Sequence, residues 1–87
     1  MNRFLAHCGA RFPIVQAPMG WIARSTLASA VSRAGALGII ETSSAETEAC
    51  QREIEAMLKS GLPFGVNLPI RFLKDDAMLR YVCGSGI

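Results

Sequence analysis

The chain has 87 residues, of which 51% are hydrophobic, and it carries a formal net charge of +2. This length suffices for one small domain, and the apolar fraction argues against a disordered chain. The small net charge gives no reason to expect nucleic acid as a partner, and no apolar run approaches the roughly 18 residues of a membrane span.

The charges are unevenly distributed along the chain. Residues 1–40 contain four arginines and no acidic residue, whereas residues 41–87 contain all seven acidic residues and five basic ones. A basic, acid-free N-terminus is also typical of transit peptides. Because the first strand signal begins at Pro13, little room is left for a removable leader, and no secretory apolar region is visible. We therefore expect a cytoplasmic protein that binds no membrane.

Three cysteines, Cys8, Cys50 and Cys83, are odd in number, far apart and without a CxxC pair. This usage indicates reduced thiols, as in cytoplasmic proteins. With His7 as the single histidine, a metal site lacks ligands. Adjacency of His7 and Cys8 in sequence does not create a nucleophile and base geometry. We interpret residues 1–11 as a plain lead-in segment.

The first predicted unit combines a strand and a helix. "PIVQA" at 13–17 reads as a short buried strand that opens on proline, which is tolerated at the first strand position. Ser25 is a plausible N-cap of the following helix, and Gly35 a C-terminal stop. Apolar residues recur at helical spacing between them, namely Leu27, Ala30, Val31 and Ala34.

The second unit repeats this plan. "ALGIIE" at 36–41 predicts a strand, and residues 43–61 predict a long helix. Ser43 and Glu46 have the spacing of a capping box, and Gly61 is suited to end the helix. One apolar stripe follows from the spacing of Cys50, Ile54, Met57 and Leu58.

The third unit consists of a strand at 63–69, "PFGVNLP", and a shorter helix over 75–84. Asp75 is the expected N-cap and Gly84 the expected stop. The expected inward-facing residues of this helix are Met78 and Val82. Residues 85–87 resemble the beginning of a fourth strand.

Strand and helix alternate at steps of similar length, which predicts an α/β fold with a parallel sheet and right-handed crossovers. Either an open doubly wound sheet or a closed eightfold barrel uses such units. The first strand-to-helix loop lacks the GxGxxG pattern of dinucleotide-binding sheets, which favours the barrel. In a barrel, the active site lies at the C-terminal strand ends, here 16–20, 40–43 and 66–69.

Polar or adaptable residues stand at these strand ends. A buried amide needs hydrogen-bond partners, so Gln16 and Asn67 either bond a neighbouring strand or loop, or face a bound polar ring. Gly20 either permits a tight turn or lets backbone N–H groups approach a ligand. Met19 is either core filler or a polarisable contact for a flat ring.

Together, "PIVQAPMGW", "LASAVSRAGALGIIETSS" and "PFGVNLP" resemble the N-terminal part of the nitronate monooxygenase family, formerly called 2-nitropropane dioxygenases. Flavin-type enoyl-acyl-carrier-protein reductases share this build. The similarity runs from Arg11 to Ile87. It rests on three motifs in the family's order and at fitting distances.

The resemblance implies a TIM-type (β/α)8 barrel with FMN lying over the C-terminal strand ends. In the family, the loop after the first strand contacts the flavin largely through its backbone, which corresponds here to Ala17, Pro18, Met19 and Gly20. An asparagine after "FGV" hydrogen-bonds the isoalloxazine ring, and its counterpart is Asn67. Gln16 is then expected just beneath the flavin.

Two positions depart from the family's usual "SNAGGLG". Arg33 replaces an asparagine at a helix end, where a cation is favourable, and Ala36 replaces a glycine, which is harmless unless that position needs a positive φ. The family's catalytic histidine and phosphate-binding loops lie in later units, and His7 does not correspond to that histidine. We therefore expect an incomplete barrel, of three units and the start of a fourth, that is inactive and self-associating when isolated.

The function implied by the resemblance is oxidation of alkyl nitronates with O₂ by an FMN-dependent enzyme. A flavin-type enoyl reductase, which also needs NAD(P)H, is the alternative within the same enzyme class. A non-catalytic remnant or interaction module that pairs with another chain is the alternative outside it. A small doubly wound binding domain would need a completed fourth strand and a covering helical layer.

Overall fold

The computed structural model describes residues 2–44, 46–72 and 76–87. In chain order its elements are α1 (Arg3–Cys8), α2 (Ser25–Arg33), β1 (Gly38–Glu41), α3 (Thr47–Ser60), β2 (Phe64–Asn67), a 3₁₀ turn (Ile70–Phe72) and α4 (Ala77–Gly84). None of the described helices is long and apolar enough to cross a membrane.

The sheet consists of β1 and β2, which pair in parallel through α3 as the crossover. Their register runs from Gly38 opposite Phe64 to Glu41 opposite Asn67. Helices α2 and α3 pack against β1 and against each other. The prediction of an α/β fold with parallel pairing is confirmed.

The predicted buried strand over 13–17 is reduced to a single parallel bridge between Val15 and Leu37. The Leu37 N–H donates to the Ile14 carbonyl (2.9 Å), and the Gln16 N–H donates to the Leu37 carbonyl (3.0 Å). After Val15 the backbone no longer pairs with β1, and the Gln16 side chain bonds the N–H and carbonyl of Ile39 instead. The prediction of burial is also wrong, since Ile14 and Val15 are exposed.

Residues 85–87 were expected to begin a fourth strand, and that prediction is wrong as well. Gly86 has a φ of +84°, a left-handed conformation that does not belong to a strand. Helix α4 includes Gly84 and has Ser85 as its C-cap, one residue later than predicted. The predicted N-cap Asp75 lies outside the described residues, and Asp76 holds that position without a side-chain capping bond.

Helix α2 presents its small residues to the sheet. Its buried positions are Ala28 and Ser32, and no residue of the predicted stripe at Leu27, Ala30, Val31 and Ala34 is fully buried. The prediction followed the helical spacing of apolar residues, whereas the close approach of α2 to β1 selects a face with Ala28 and Ser32. Gly35 ends the helix at a φ of +103° as predicted.

Helix α3 begins at Thr47, later than predicted, because no capping box forms. The hydroxyl of Ser43 is engaged with Glu41. The core-facing stripe is confirmed for Cys50, Ile54 and Met57 and wrong for Leu58, which is exposed. Gly61 ends the helix at a φ of +71° as predicted.

A short opening helix, α1, was missed within the lead-in segment. The Asn2 side chain caps it by accepting the N–H groups of Phe4 (2.9 Å) and Leu5 (3.4 Å). Gly9 ends it at a φ of +79°. Both signals, a capping Asn and a terminal Gly, are readable in the sequence.

The core lies between the helices and β1. Its fully buried cluster consists of Ala28, Ile40, Cys50, Ile54, Met57 and Met78. Met78 is therefore inward as predicted, and Val82 is half-buried against this cluster. The hydroxyl of Ser32 joins three elements, since it donates to the Pro63 carbonyl (2.6 Å) and accepts the Gly38 N–H (3.1 Å).

The two departures from the family pattern are accommodated. Arg33 is exposed in the last turn of α2. Ala36 is buried and does not have a positive φ, so alanine is compatible with this position.

Apolar side chains are exposed on several loops and on the Val15 bridge. Those with the greatest exposed fraction are Phe12, Ile14, Val15, Trp21, Ile22 and Ile70. Because exposed apolar surface of this kind drives association, we expect the 87-residue chain on its own to self-associate. Size-exclusion chromatography with light scattering measures this. A sharp monomer peak together with a cooperative thermal transition would contradict it.

Substitution of Gly38 tests the close packing of α2 on β1. A Cβ at this position would lie 2.3 Å from the Ala28 carbonyl oxygen, so the backbone of α2 must move. We expect Gly38→Ala to lower the free energy of unfolding by about 1–3 kcal/mol, measured by urea titration.

Gly84→Ala is the matched control for this substitution. Gly84 is helical, and a Cβ there meets nothing within 4 Å. We expect it to raise stability by about 0.5–1 kcal/mol. Equal effects of the two substitutions would show that the α2 contact does not constrain the fold.

Candidate functional site

The carboxyl ends of the strands lie along one edge of the sheet. Parallel register sets Glu41 opposite Asn67, and the parallel bridge at Val15 brings the end of the first segment beside β1. The segment 17–24, here called the first loop, leaves from this edge and leads into α2. Three predicted site regions are thus adjacent in the structure.

The amide of Gln16 is fully used by the protein. Its Nε2 donates to the carbonyls of Ala17 (2.7 Å) and Ile39 (3.1 Å), and its Oε1 accepts the Ile39 N–H (3.1 Å). The side chain thereby continues the pairing with β1 that the backbone leaves at Val15. Of the two readings left open by the sequence, the one in which Gln16 bonds a neighbouring strand and its own loop is confirmed.

The amide of Asn67 is used differently. It is the last residue of β2 and half-buried, and its backbone carbonyl accepts the Thr42 hydroxyl at 2.7 Å. Its side chain makes no hydrogen bond to any described residue. Asn67 therefore presents both a donor and an acceptor at the strand ends.

The first loop turns back on itself at Met19. The Met19 carbonyl accepts the N–H groups of Ile22 (3.2 Å) and Ala23 (2.8 Å). Trp21 sits inside this turn with a φ of +65°. Because a bulky residue seldom adopts a positive φ, other contacts must hold this conformation.

Three backbone donors of the first loop are unused. The N–H groups of Ala17, Met19 and Gly20 bond no acceptor in residues 2–44, 46–72 or 76–87, and Pro18 has no N–H. Met19 is exposed rather than core filler. A Cβ on Gly20 would make only an ordinary contact with the Ser43 hydroxyl at 3.5 Å, so packing within the chain does not require glycine there.

Glu41 is the buried carboxylate of the site, with 1% of its surface exposed. Its Oε1 accepts the Trp21 N–H (3.2 Å), and its Oε2 accepts the Ser43 N–H (2.8 Å) and the Ser43 hydroxyl. The backbone N–H of Glu41 donates to the Ala23 carbonyl (2.9 Å). One residue of β1 therefore holds the first loop through both its side chain and its backbone.

The charge of Glu41 is balanced by Arg24, whose Nη2 lies 3.9 Å from Oε1. The same nitrogen donates to the Ser44 hydroxyl (3.4 Å), and the guanidinium lies 5.1 Å from the centroid of the Trp21 ring. Burial acts to raise the pKa of Glu41, but the bonds from Ser43 and Trp21 and the Arg24 charge outweigh it. The pKa of Glu41 is therefore lowered from its ordinary value.

The N-terminus of α2 is capped from another helix. Ser25 was predicted as the N-cap, but it is the first helical residue, and the N-cap Arg24 makes no side-chain capping bond. The Ser25 N–H (3.1 Å) and its hydroxyl (3.2 Å) both donate to Oε1 of Glu53 on α3. Because a protein carboxylate occupies this helix end, it does not serve as an anion site.

Of the three cysteines, Cys50 borders this site, since its Sγ lies 3.9 Å from the Glu41 carbonyl oxygen and 3.8 Å from the Ser44 hydroxyl oxygen. His7 is exposed on α1, and Cys8, Cys50 and Cys83 are free thiols. Burial raises the pKa of the Cys50 thiol, which favours its neutral form. No group of three potential metal ligands occurs in the part of the chain that the structure describes.

Sequence reasoning missed two residues of this arrangement, Glu41 and Arg24. The available signal was the acidic residue that directly follows the apolar run "LGII". A carboxylate at the end of a buried strand requires donors. Two of them belong to the nearby Ser43, whereas the third, the Trp21 N–H, lies 20 residues away in the chain.

Comparison with known proteins gives one matching family model and two curated relatives. The model of the nitronate monooxygenase family matches residues 2–81. The chain is 40% identical over 70 residues to a nitronate monooxygenase of Pseudomonas aeruginosa, which covers 77% of this chain and 19% of that protein. It is 38% identical over 63 residues to the (3aS,4S,5R,7aS)-5-hydroxy-7a-methyl-1-oxo-octahydro-1H-indene-4-carboxyl-CoA dehydrogenase of Mycobacterium tuberculosis, with coverages of 69% and 17%. The chain spans less than a fifth of the length of either relative.

The pH dependence of stability tests the ionised state of Glu41. Its pKa is lower in the folded chain than its ordinary value of 4.5, so the unfolded chain binds the proton first as the pH falls. The contribution to stability is therefore present above pH 4.5 and lost as the pH falls through the folded-state pKa.

We expect the stability difference between the wild type and Glu41→Gln to shrink as the pH is lowered from about 7 to about 3. Urea titration at each pH measures it. The subtraction removes the contribution of the other carboxylates. A difference that stays constant over this range would contradict the assignment of an ionised, hydrogen-bonded Glu41.

Proposed function

The chain belongs to the nitronate monooxygenase family, and we propose that it forms part of an FMN-dependent oxidoreductase that oxidises alkyl nitronates with O₂. The observation that carries this proposal is the Asn67 amide, which lies at the same sheet edge as the N–H groups of Ala17, Met19 and Gly20. None of these groups has a hydrogen-bond partner among the described residues. Parallel strand–helix units and the family match support a (β/α)8 barrel to which this chain contributes the first units.

The donors and acceptors present fit one edge and one face of a flavin ring. Flavin carbonyl oxygens and ring nitrogens accept hydrogen bonds, and the imide N–H donates one. The N–H groups of Ala17, Met19 and Gly20 are available as donors. Asn67 is able both to donate and to accept. Pro18 contributes shape without a donor, and the exposed Met19 thioether is suited to contact a flat ring.

Gln16 supports the ring from below in this proposal. Its amide bonds are all directed to the protein, so it fixes the start of the first loop and makes no polar contact with the cofactor. Glu53 fills the N-terminus of α2, which directs the phosphate of FMN to other parts of the protein.

When bound, FMN supplies the electron transfer between the nitronate and O₂. The residues of this chain bind and orient the ring and exclude water from one of its faces. None of them is assigned as a catalytic base, and we propose that the 87-residue chain is inactive alone.

A second candidate follows from the other relative. A protein named as a carboxyl-CoA dehydrogenase is almost as similar to this chain as the nitronate monooxygenase is. A flavoenzyme that acts on a CoA thioester, or a flavin-type enoyl-acyl-carrier-protein reductase, uses the same ring-binding segment with a different electron donor or acceptor. A non-catalytic module, in contrast, binds no flavin.

Assays on the full-length protein that carries this chain distinguish between these functions. We expect the purified protein to show flavin absorbance and to release FMN, identified by mass, on denaturation. Oxygen uptake with an alkyl nitronate and no added pyridine nucleotide supports the proposal. NAD(P)H oxidation that depends on an enoyl thioester supports the reductase. Turnover of a CoA thioester but not of the nitronate supports the dehydrogenase, and a flavin-free protein supports the non-catalytic module.

Asn67→Ala tests the contact with the ring. We expect the Kd for FMN to rise by about 2- to 12-fold, the equivalent of a net hydrogen bond of about 0.5–1.5 kcal/mol. Quenching of FMN fluorescence on titration with apoprotein measures it. Gln51→Ala, which removes a half-buried amide from α3, is the matched control and leaves the Kd unchanged. An unchanged Kd in Asn67→Ala refutes the assignment.

A further inference from the structure

Glu41 is held by polar groups that belong to two short segments. Its side chain accepts hydrogen bonds from the Trp21 N–H of the first loop and from the backbone and hydroxyl of Ser43, and it lies beside Arg24. Its buried carboxylate is absent from the apolar cluster that forms the core. The contacts of this side chain are therefore concentrated on the edge where the first loop leaves the sheet.

We propose that Glu41 is a positioning residue, which fixes the first loop so that the N–H groups of Ala17, Met19 and Gly20 remain presented to the flavin ring. This inference rests on the proposed function for the identity of the ligand. It concerns a residue that touches the loop and not the cofactor.

The conformation of Trp21 gives the physical reason. A positive φ at a tryptophan is disfavoured, and the Trp21 side chain does not compensate by burial, since 65% of it is exposed. The Met19 carbonyl closes the turn around Trp21. The contacts that Trp21 itself makes are the bond from its N–H to Glu41 and the approach of the Arg24 guanidinium to its ring. Arg24 itself is placed between Glu41 and Ser44.

A carboxylate suits this position better than an amide. Glu41 faces three hydrogen-bond donors and a guanidinium, and its two oxygens accept from all three donors. A glutamine of the same shape places an NH₂ group against at least one of them and removes the charge beside Arg24. Glu41→Gln therefore weakens the hold on the loop without creating a cavity.

A purely structural role for Glu41 predicts a different outcome. In that case the affinity for FMN decreases only in proportion to the loss of overall stability, for any variant. Ser32→Ala provides the comparison, because Ser32 is a buried hydroxyl that joins α2, β1 and the segment before β2 without a hydrogen bond to the first loop. Glu41→Asp keeps the charge and shortens the side chain, and serves as the conservative variant.

The experiment uses the full-length protein, with two readouts for each variant. The first is amide hydrogen exchange of the first loop in the flavin-free protein, resolved at Trp21. The second is the Kd for FMN. We expect Glu41→Gln to accelerate Trp21 exchange by about tenfold or more and to raise the Kd by a similar factor. Glu41→Asp is expected between the wild type and Glu41→Gln.

Ser32→Ala is expected to lower the melting temperature while leaving both readouts within about twofold of the wild type. The inference is overturned by unchanged Trp21 exchange in Glu41→Gln, by an unchanged Kd despite faster exchange, or by equal changes in Ser32→Ala. If the wild type binds no FMN, the proposed function fails, and the exchange rates alone decide whether Glu41 holds the loop.

Discussion

The buried carboxylate of Glu41 is the interaction on which the geometry of the site depends. An ionised group at 1% exposure is tolerated only when donors surround it, and here they come from the first loop and from the residues just after β1. The same contacts, from the Trp21 N–H and Arg24, both stabilise this charge and fix the loop. The end of β1 thereby sets the backbone of a segment whose large apolar side chains, Met19, Trp21 and Ile22, are exposed.

A second constraint, the close approach of α2 to β1, determines where that loop can go. Gly38 leaves no space for a side chain beneath the Ala28 carbonyl, and the Ser32 hydroxyl satisfies the Gly38 N–H while bonding Pro63. These contacts fix the distance of α2 from the sheet and the face that the helix turns toward it. The position of α2 determines where the first loop ends, whereas the bonds of Glu41 to Trp21 and Ala23 determine the conformation of the loop between its ends.

Features that depend on neighbouring residues were predictable from the sequence. The parallel strand–helix alternation, the glycine stops at Gly35 and Gly61, and the stripe of α3 follow from local periodicity and backbone preference. The N-terminal contacts of α2 and α3 were not predictable, since Ser25 donates to Glu53, 28 residues away. Ser43 likewise serves Glu41 and not the start of α3. The stripe of α2 was predicted from the spacing of apolar residues, whereas the short distance between the helix and the sheet selected Ala28 and Ser32.

The two amides at the sheet edge show why residue type alone does not identify a binding group. Gln16 lies beside an N–H and a carbonyl of Ile39 that no backbone partner takes, and its amide matches that pair. Asn67 ends a strand that is already paired with β1, and the nearby Thr42 hydroxyl bonds its backbone carbonyl instead of its side chain. The sequence offers the same chemistry at both places. Only the backbone around each amide determines that the first supports the fold while the second remains available to a ligand.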